Sequence, residues 1–168
     1  MAKAFLLIVV IGVVHSAEVH SGQIDIGNGV LEPISVKYDE KSHVTVITHY
    51  GSDGNTVLVS DGTTGEFIIK DVGIHRCLVG KATSDMIRQL DVVSSALLTH
   101  AIAHMPDNTY TFVPTPGMTV GSVAHSECEG AALTTGYFTN GSQVTHTRKY
   151  WCWGLSFGRT CVGVGGAR

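Results

Sequence analysis

The chain has 168 residues, 43% of them hydrophobic and 15% charged, with a formal net charge of −3. That composition excludes a disordered polyelectrolyte, and the length leaves room for one domain plus appendages. The charge is unevenly placed. All 14 acidic residues lie between Glu18 and Glu129 together with six basic ones, a net of −8, whereas Arg148, Lys149, Arg159 and Arg168 give an acid-free tail of +4. An acidic body before a basic tail suits a precursor whose two parts neutralise each other until they separate.

Met1-Ala2-Lys3 is a short basic start, and Ala4 to Val14 is an unbroken run of apolar residues and Gly12. The run is too short to span a bilayer and has the length of a signal-peptide core. Val14 and Ser16 suit the small-residue positions before a cleavage site, so residues 1–16 are read as a leader and the chain as secreted. Asn140-Gly141-Ser142 is a glycosylation acceptor triplet, compatible with that route.

Residues 17–42 read as a linker, with Gly22, Gly27, Gly29 and Pro33 among scattered charges. Three strand signals follow, at residues 43–49, 56–60 and 66–72, separated by the turn-forming stretches Gly51-Ser52-Asp53-Gly54 and Asp61-Gly62-Thr63-Thr64-Gly65. Tight turns between strands predict an antiparallel meander. Met86, Ile87, Leu90, Val93, Leu97, Leu98, Ala101 and Ile102 then recur at helical spacing. This predicts a long helix from Ser84 to about His104, capped by Thr83 or Ser84 and with Asp85 in its first turn. Pro114 and Pro116 mark a loop, residues 118–126 suit a short helix or an extended segment, and residues 132–138 read as a final strand. The expected fold is α+β: an antiparallel sheet of about five strands over residues 43–141, with one long and one short helix. Residues 142–149 would be a second linker.

The four cysteines are Cys77, Cys128, Cys152 and Cys161. In a secreted chain they imply two bridges, and three pairings are possible. Cys77–Cys128 across the domain and Cys152–Cys161 within the tail are favoured, at about 4 and about 3 kcal/mol in the chain-entropy model. A zinc site needs closely paired ligands of the C-x₂-C type, which the sequence lacks. His100 and His104 stand four apart, a metal-ligand spacing, but without the glutamate of the protease pattern. No nucleophile-elbow motif is present. The chain is therefore not read as an enzyme, and no metal, cofactor or nucleic-acid partner is expected.

Asp61 closing a Val-rich strand, the strand Phe67–Val72 leading to Cys77-Leu78-Val79, an amphipathic helix, and Cys128 shortly before Tyr137-Phe138 together resemble the BRICHOS domain. The leader, domain and cysteine-closed tail are most similar in order to the arenicin-like antimicrobial peptide precursors of marine worms. Leu78 follows Cys77 where a tyrosine is common in the family. The resemblance implies a sheet of five strands with two helices, a Cys77–Cys128 bridge, and a chaperone-like action on β-prone segments. It also supports a pH-sensing role for Asp61, whose burial would raise its pKa and let acid loosen the domain; the other reading of Asp61 is a turn cap.

The client would be residues 150–168, released by a processing protease after Arg148-Lys149. Trp151, Trp153 and Phe157 suit the lipid–water interface, and Arg159, Arg168 and the new amino terminus supply charge for an anionic bacterial membrane. A disulfide-closed β-hairpin of this kind is aromatic and strand-prone. It would pair edge to edge before release unless the body upstream covered it.

Overall fold

The computed structural model describes residues 17–26, 29–52, 54–104, 109–140, 147–153 and 160–165, the last two stretches as backbone. The leader assigned to residues 1–16 lies outside the described residues. Nine strands form the body: β1 (Glu18–Asp25), β2 (Leu31–Asp39), β3 (Val44–Gly51), β4 (Gly54–Asp61), β5 (Glu66–Asp71), β6 (Arg76–Lys81), β7 (Ala103–His104), β8 (Thr109–Pro114) and β9 (Ala132–Asn140). The tail adds β10 (Thr147–Trp153) and β11 (Thr160–Gly165), and the helices are α1 (Ser84–Leu98) and α2 (Ser122–Glu127). All strands join one mixed sheet in the order β10-β11-β8-β9-β6-β5-β4-β3-β2-β1-β7. The pairs β6–β9, β8–β11 and β1–β7 are parallel and the others antiparallel.

This corrects the expected α+β fold of about five antiparallel strands and one long helix. The protein is mostly sheet, the sheet is mixed, and both helices are short. The segment 17–42 supplies β1 and β2, paired over their whole length from Glu18↔Tyr38 to Asp25↔Leu31. Its glycines and Pro33 suggested a linker, but Ile24, Ile34 and Val36 alternate inward and are buried. Pro33 stands opposite Gln23 with its own side chain exposed. α1 also ends early: Thr99 is its C-cap and His100 adopts φ 55°, where a further helical turn cannot continue. Ala103 then enters β7 and is buried, although the predicted helix ran through it to His104. At the other end of α1, Thr83 accepts a hydrogen bond from the Met86 N–H.

Each face of the sheet carries one helix. Met86, Leu90, Val93 and Leu97 of α1 cluster with at least one buried residue from each of β1 to β9. α1 is tied at its first turn to β8 through Asp85 and Tyr110. Near its last turn it packs so closely on β1 that a Cβ on Gly22 would come 2.6 Å from Leu97 Cδ2. Seven strand spacings separate β8 from β1, about 34 Å if flat, whereas the helix rises only about 18 Å between those two contacts. The sheet must therefore coil around α1. On the opposite face Ala124 and Cys128 pack on Val44, Val59, Ile68, Cys77 and Val79. The Cys77–Cys128 disulfide fastens α2's C-cap to β6.

Candidate functional site

β8 is the strand on which the tail is seated. On one side it pairs with β9, from Tyr110↔Asn140 to Pro114↔Gly136. On the other it pairs in parallel with β11, Cys161↔Thr109 through Val164↔Phe112. β10 folds back on β11 so that Cys152 stands directly opposite Cys161. That register is the one a Cys152–Cys161 bridge needs; the side chains of both stretches lie outside the described residues.

The inner face of β8 is held firmly. Phe112 is fully buried and Tyr110 nearly so. Phe138 of β9 packs between Phe112, tilted at 4.9 Å between ring centroids, and Phe67, edge to face at 5.6 Å. Gly136 is required beside them, because any Cβ there would run into the Val113 carbonyl and the Phe112 ring. The Tyr110 hydroxyl donates to Asp85 Oδ2 at 2.6 Å. This bond, followed by the Arg88 guanidinium, holds the Asp85 carboxyl below its usual range. Burial first, and Asp85 second, push the Tyr110 phenol well above its usual value. Chemically, a packed strand of this kind offers an ordered row of backbone donors and acceptors to an extended segment.

Asp61 ends β4 and is 3% exposed. Its Oδ1 accepts from the Thr63 and Thr64 N–H groups at 2.8 and 3.2 Å, the geometry of a turn cap. Opposite it in register stands Glu66, also buried, whose two carboxylate oxygens accept from the Gly121 N–H at 3.0 Å. Gly121 is the N-cap of α2, so Glu66 holds the N-cap residue's own N–H, as the carboxylate of a capping box does. Lys81, opposite Glu66 on β6, donates to the Thr64 carbonyl. The turn after β4 and the start of α2 therefore share one polar cluster built around the buried Asp61 and Glu66.

Of the other residues singled out in the sequence, Arg148, Lys149, Trp151 and Trp153 lie on β10 with side chains outside the described residues. Phe157, Arg159 and Arg168 lie outside them entirely. Asn140 is exposed at the end of β9. His100 and His104 do not share a helix face, since one follows the α1 cap and the other sits in β7, its Nδ1 3.8 Å from Asp25 Oδ2. Among the described residues no group of three or more His, Cys, Asp or Glu could hold a metal ion. No helix among them is long and apolar enough to cross a membrane.

Two features had no sequence signal. His49 Nε2 lies 2.6 Å from Glu32 Oε2 in the interior, while Glu32 Oε1 accepts from the Ser52 N–H at 3.1 Å. A groove of about 470 Å³ opens between α1 and β1–β3, with Val36, Tyr38 and Leu98 on its walls and Glu18, His20 and Asp91 among them. Both depend on pairing that places distant residues side by side.

Comparison with family models, with curated proteins and with solved structures finds no match for this chain.

Proposed function

We propose that the protein is a secreted precursor whose β-rich body guards a C-terminal β-hairpin, which proteolysis releases to act on bacterial membranes. The observation that carries this reading is the seating of β10–β11 on β8. An isolated two-stranded hairpin is marginal in water and exposes two edges. Seated on β8, the hairpin has the β11 edge covered and keeps Cys152 opposite Cys161. The acidic body and the basic tail add charge complementarity. Once free, the fragment from Tyr150 combines two tryptophans with Arg159, Arg168 and a new amino terminus, a composition suited to anionic interfaces.

The test compares dye leakage from phosphatidylglycerol-rich vesicles caused by the intact chain and by the synthetic, oxidised fragment 150–168. Leakage by the fragment and little by the intact chain supports the reading. An inert fragment overturns it.

A second reading is favoured by the same continuity of the sheet: a binding or chaperone module for β-prone segments, with the hairpin as its permanent last two strands. The groove beside α1 would then be a place for another chain. Mass spectrometry of secreted material separates the two. A free fragment beginning at Tyr150 supports the precursor, and intact chain alone supports the module.

A further inference from the structure

The pairing of β10 with β11 is not continuous. Thr147 stands opposite Gly165 and Lys149 opposite Val164, while Tyr150 to Trp153 run in unbroken register to Gly163 to Thr160. Gly165 and Val164 are neighbours, so Arg148 is one residue too many. It is a β-bulge, with no register partner on β11. β10 is also the end strand of the sheet, so no other strand among the described residues lies along its far edge.

We propose that this bulge selects the processing site, making the Lys149–Tyr150 bond the point at which the folded precursor is opened. The inference rests on the precursor reading above and adds how release is controlled. An endoprotease takes its substrate as an extended strand held by backbone hydrogen bonds. β10 already offers an extended open edge. On the β11 side one register pair among the described residues, Thr147↔Gly165, precedes the bulge, so residues 147–149 peel away at the loss of that pair and the next. Beyond them the four pairs from Tyr150 to Trp153 stay closed, with Cys152 opposite Cys161 among them. Cleavage adds one water across the Lys149 carbonyl carbon and Tyr150 nitrogen. It leaves a carboxylate on Lys149 and an amino terminus on Tyr150, and the hairpin leaves with its register intact. The bulged residue is itself the first of the two basic residues that such a protease reads.

The test is limited trypsinolysis of the purified, folded full chain, following by mass the fragment that begins at Tyr150. Trypsin cuts after Lys149 whatever precedes it, so two variants separate bulge from charge. Arg148→Ala keeps the extra residue and should be cut after Lys149 at the parent rate. Deletion of Arg148 brings Thr147 and Lys149 into consecutive register, and the initial rate should fall by about fivefold or more, since cleavage follows the population of the opened strand. Equal rates for the two variants, with both showing the parent circular dichroism, overturn the inference. A rate lost in Arg148→Ala as well assigns the effect to charge and also overturns it. Neither outcome touches the vesicle assay of fragment 150–168, so failure here is distinct from failure of the precursor reading.

Discussion

Tyr110 Oη lies 2.6 Å from Asp85 Oδ2, so the strand that seats the tail is fastened to the first turn of the helix inside the sheet. The same carboxylate accepts from Gln89 at 2.9 Å and pairs with Arg88. The contact ties the coiling of the sheet to the position of its far edge.

Tyr110→Phe should keep the ring packing and lose the hydroxyl. The expected cost is about 1 kcal/mol, typical for one hydrogen bond. Chemical denaturation of the full chain measures it. The Asp85 carboxyl should rise toward its ordinary value in the variant, which carboxyl-carbon NMR titration reads.

Acid should destabilise the fold through the same group. The folded-state pKa of Asp85 is lowered, so its contribution is fully present above the ordinary carboxylate value of 3.8 and is lost as pH falls through the lowered one. Asp39, lowered by Ser42 and the Lys41 N–H, acts in the same direction. Melting temperature should fall across that acidic window and fall less steeply in Tyr110→Phe. Identical slopes for the two proteins would refute the assignment.

Removing the Cys77–Cys128 bridge by a paired alanine variant should cost about 4 kcal/mol, given a sequence separation of 51 residues. The bridge holds the end of α2, so loss of α2 protection in hydrogen exchange should precede loss of β3–β6. Uniform loss across the sheet would contradict this.

Asp61→Asn should be mild, because an amide oxygen still accepts from Thr63 and Thr64. Asp61→Ala leaves both donors without it, and should cost about 1–2 kcal/mol. If Asp61 also drives an acid-dependent opening, Asp61→Asn removes that opening, measured as dye binding against pH. An unchanged acid profile in Asp61→Asn leaves Asp61 as a turn cap alone.

What the sequence made legible was local. The β3, β4 and β5 meander follows from turn chemistry at Asp61–Gly65 and from apolar runs, and the N-terminus of α1 follows from Thr83 and the spacing of Met86, Leu90, Val93 and Leu97. Non-local pairing was not legible. β8 contains Pro114 and precedes Pro116, yet Tyr110 and Phe112 are buried because β9 and α1 close over them. β1 and β2 looked like a linker because no short window shows that Ile24 will meet α1 and β7. The end of α1 was overrun for a related reason: Ala101 and Ile102 keep the helical period, but Ile102 is left exposed and Ala103 is drawn into the sheet. For the candidate site, the sequence supplied the cysteines and the dibasic pair, while the seat on β8 and the bulge at Arg148 exist only in register.

The tail strand that touches β8 is β11, the last strand among the described residues, and not β10, which precedes it. β8 and β9 both precede it in the chain, so the two strands of the seat are synthesised before their occupant. The hairpin can dock only once β11 has followed β10, so its contact with β8 is among the last of the described pairings to become possible.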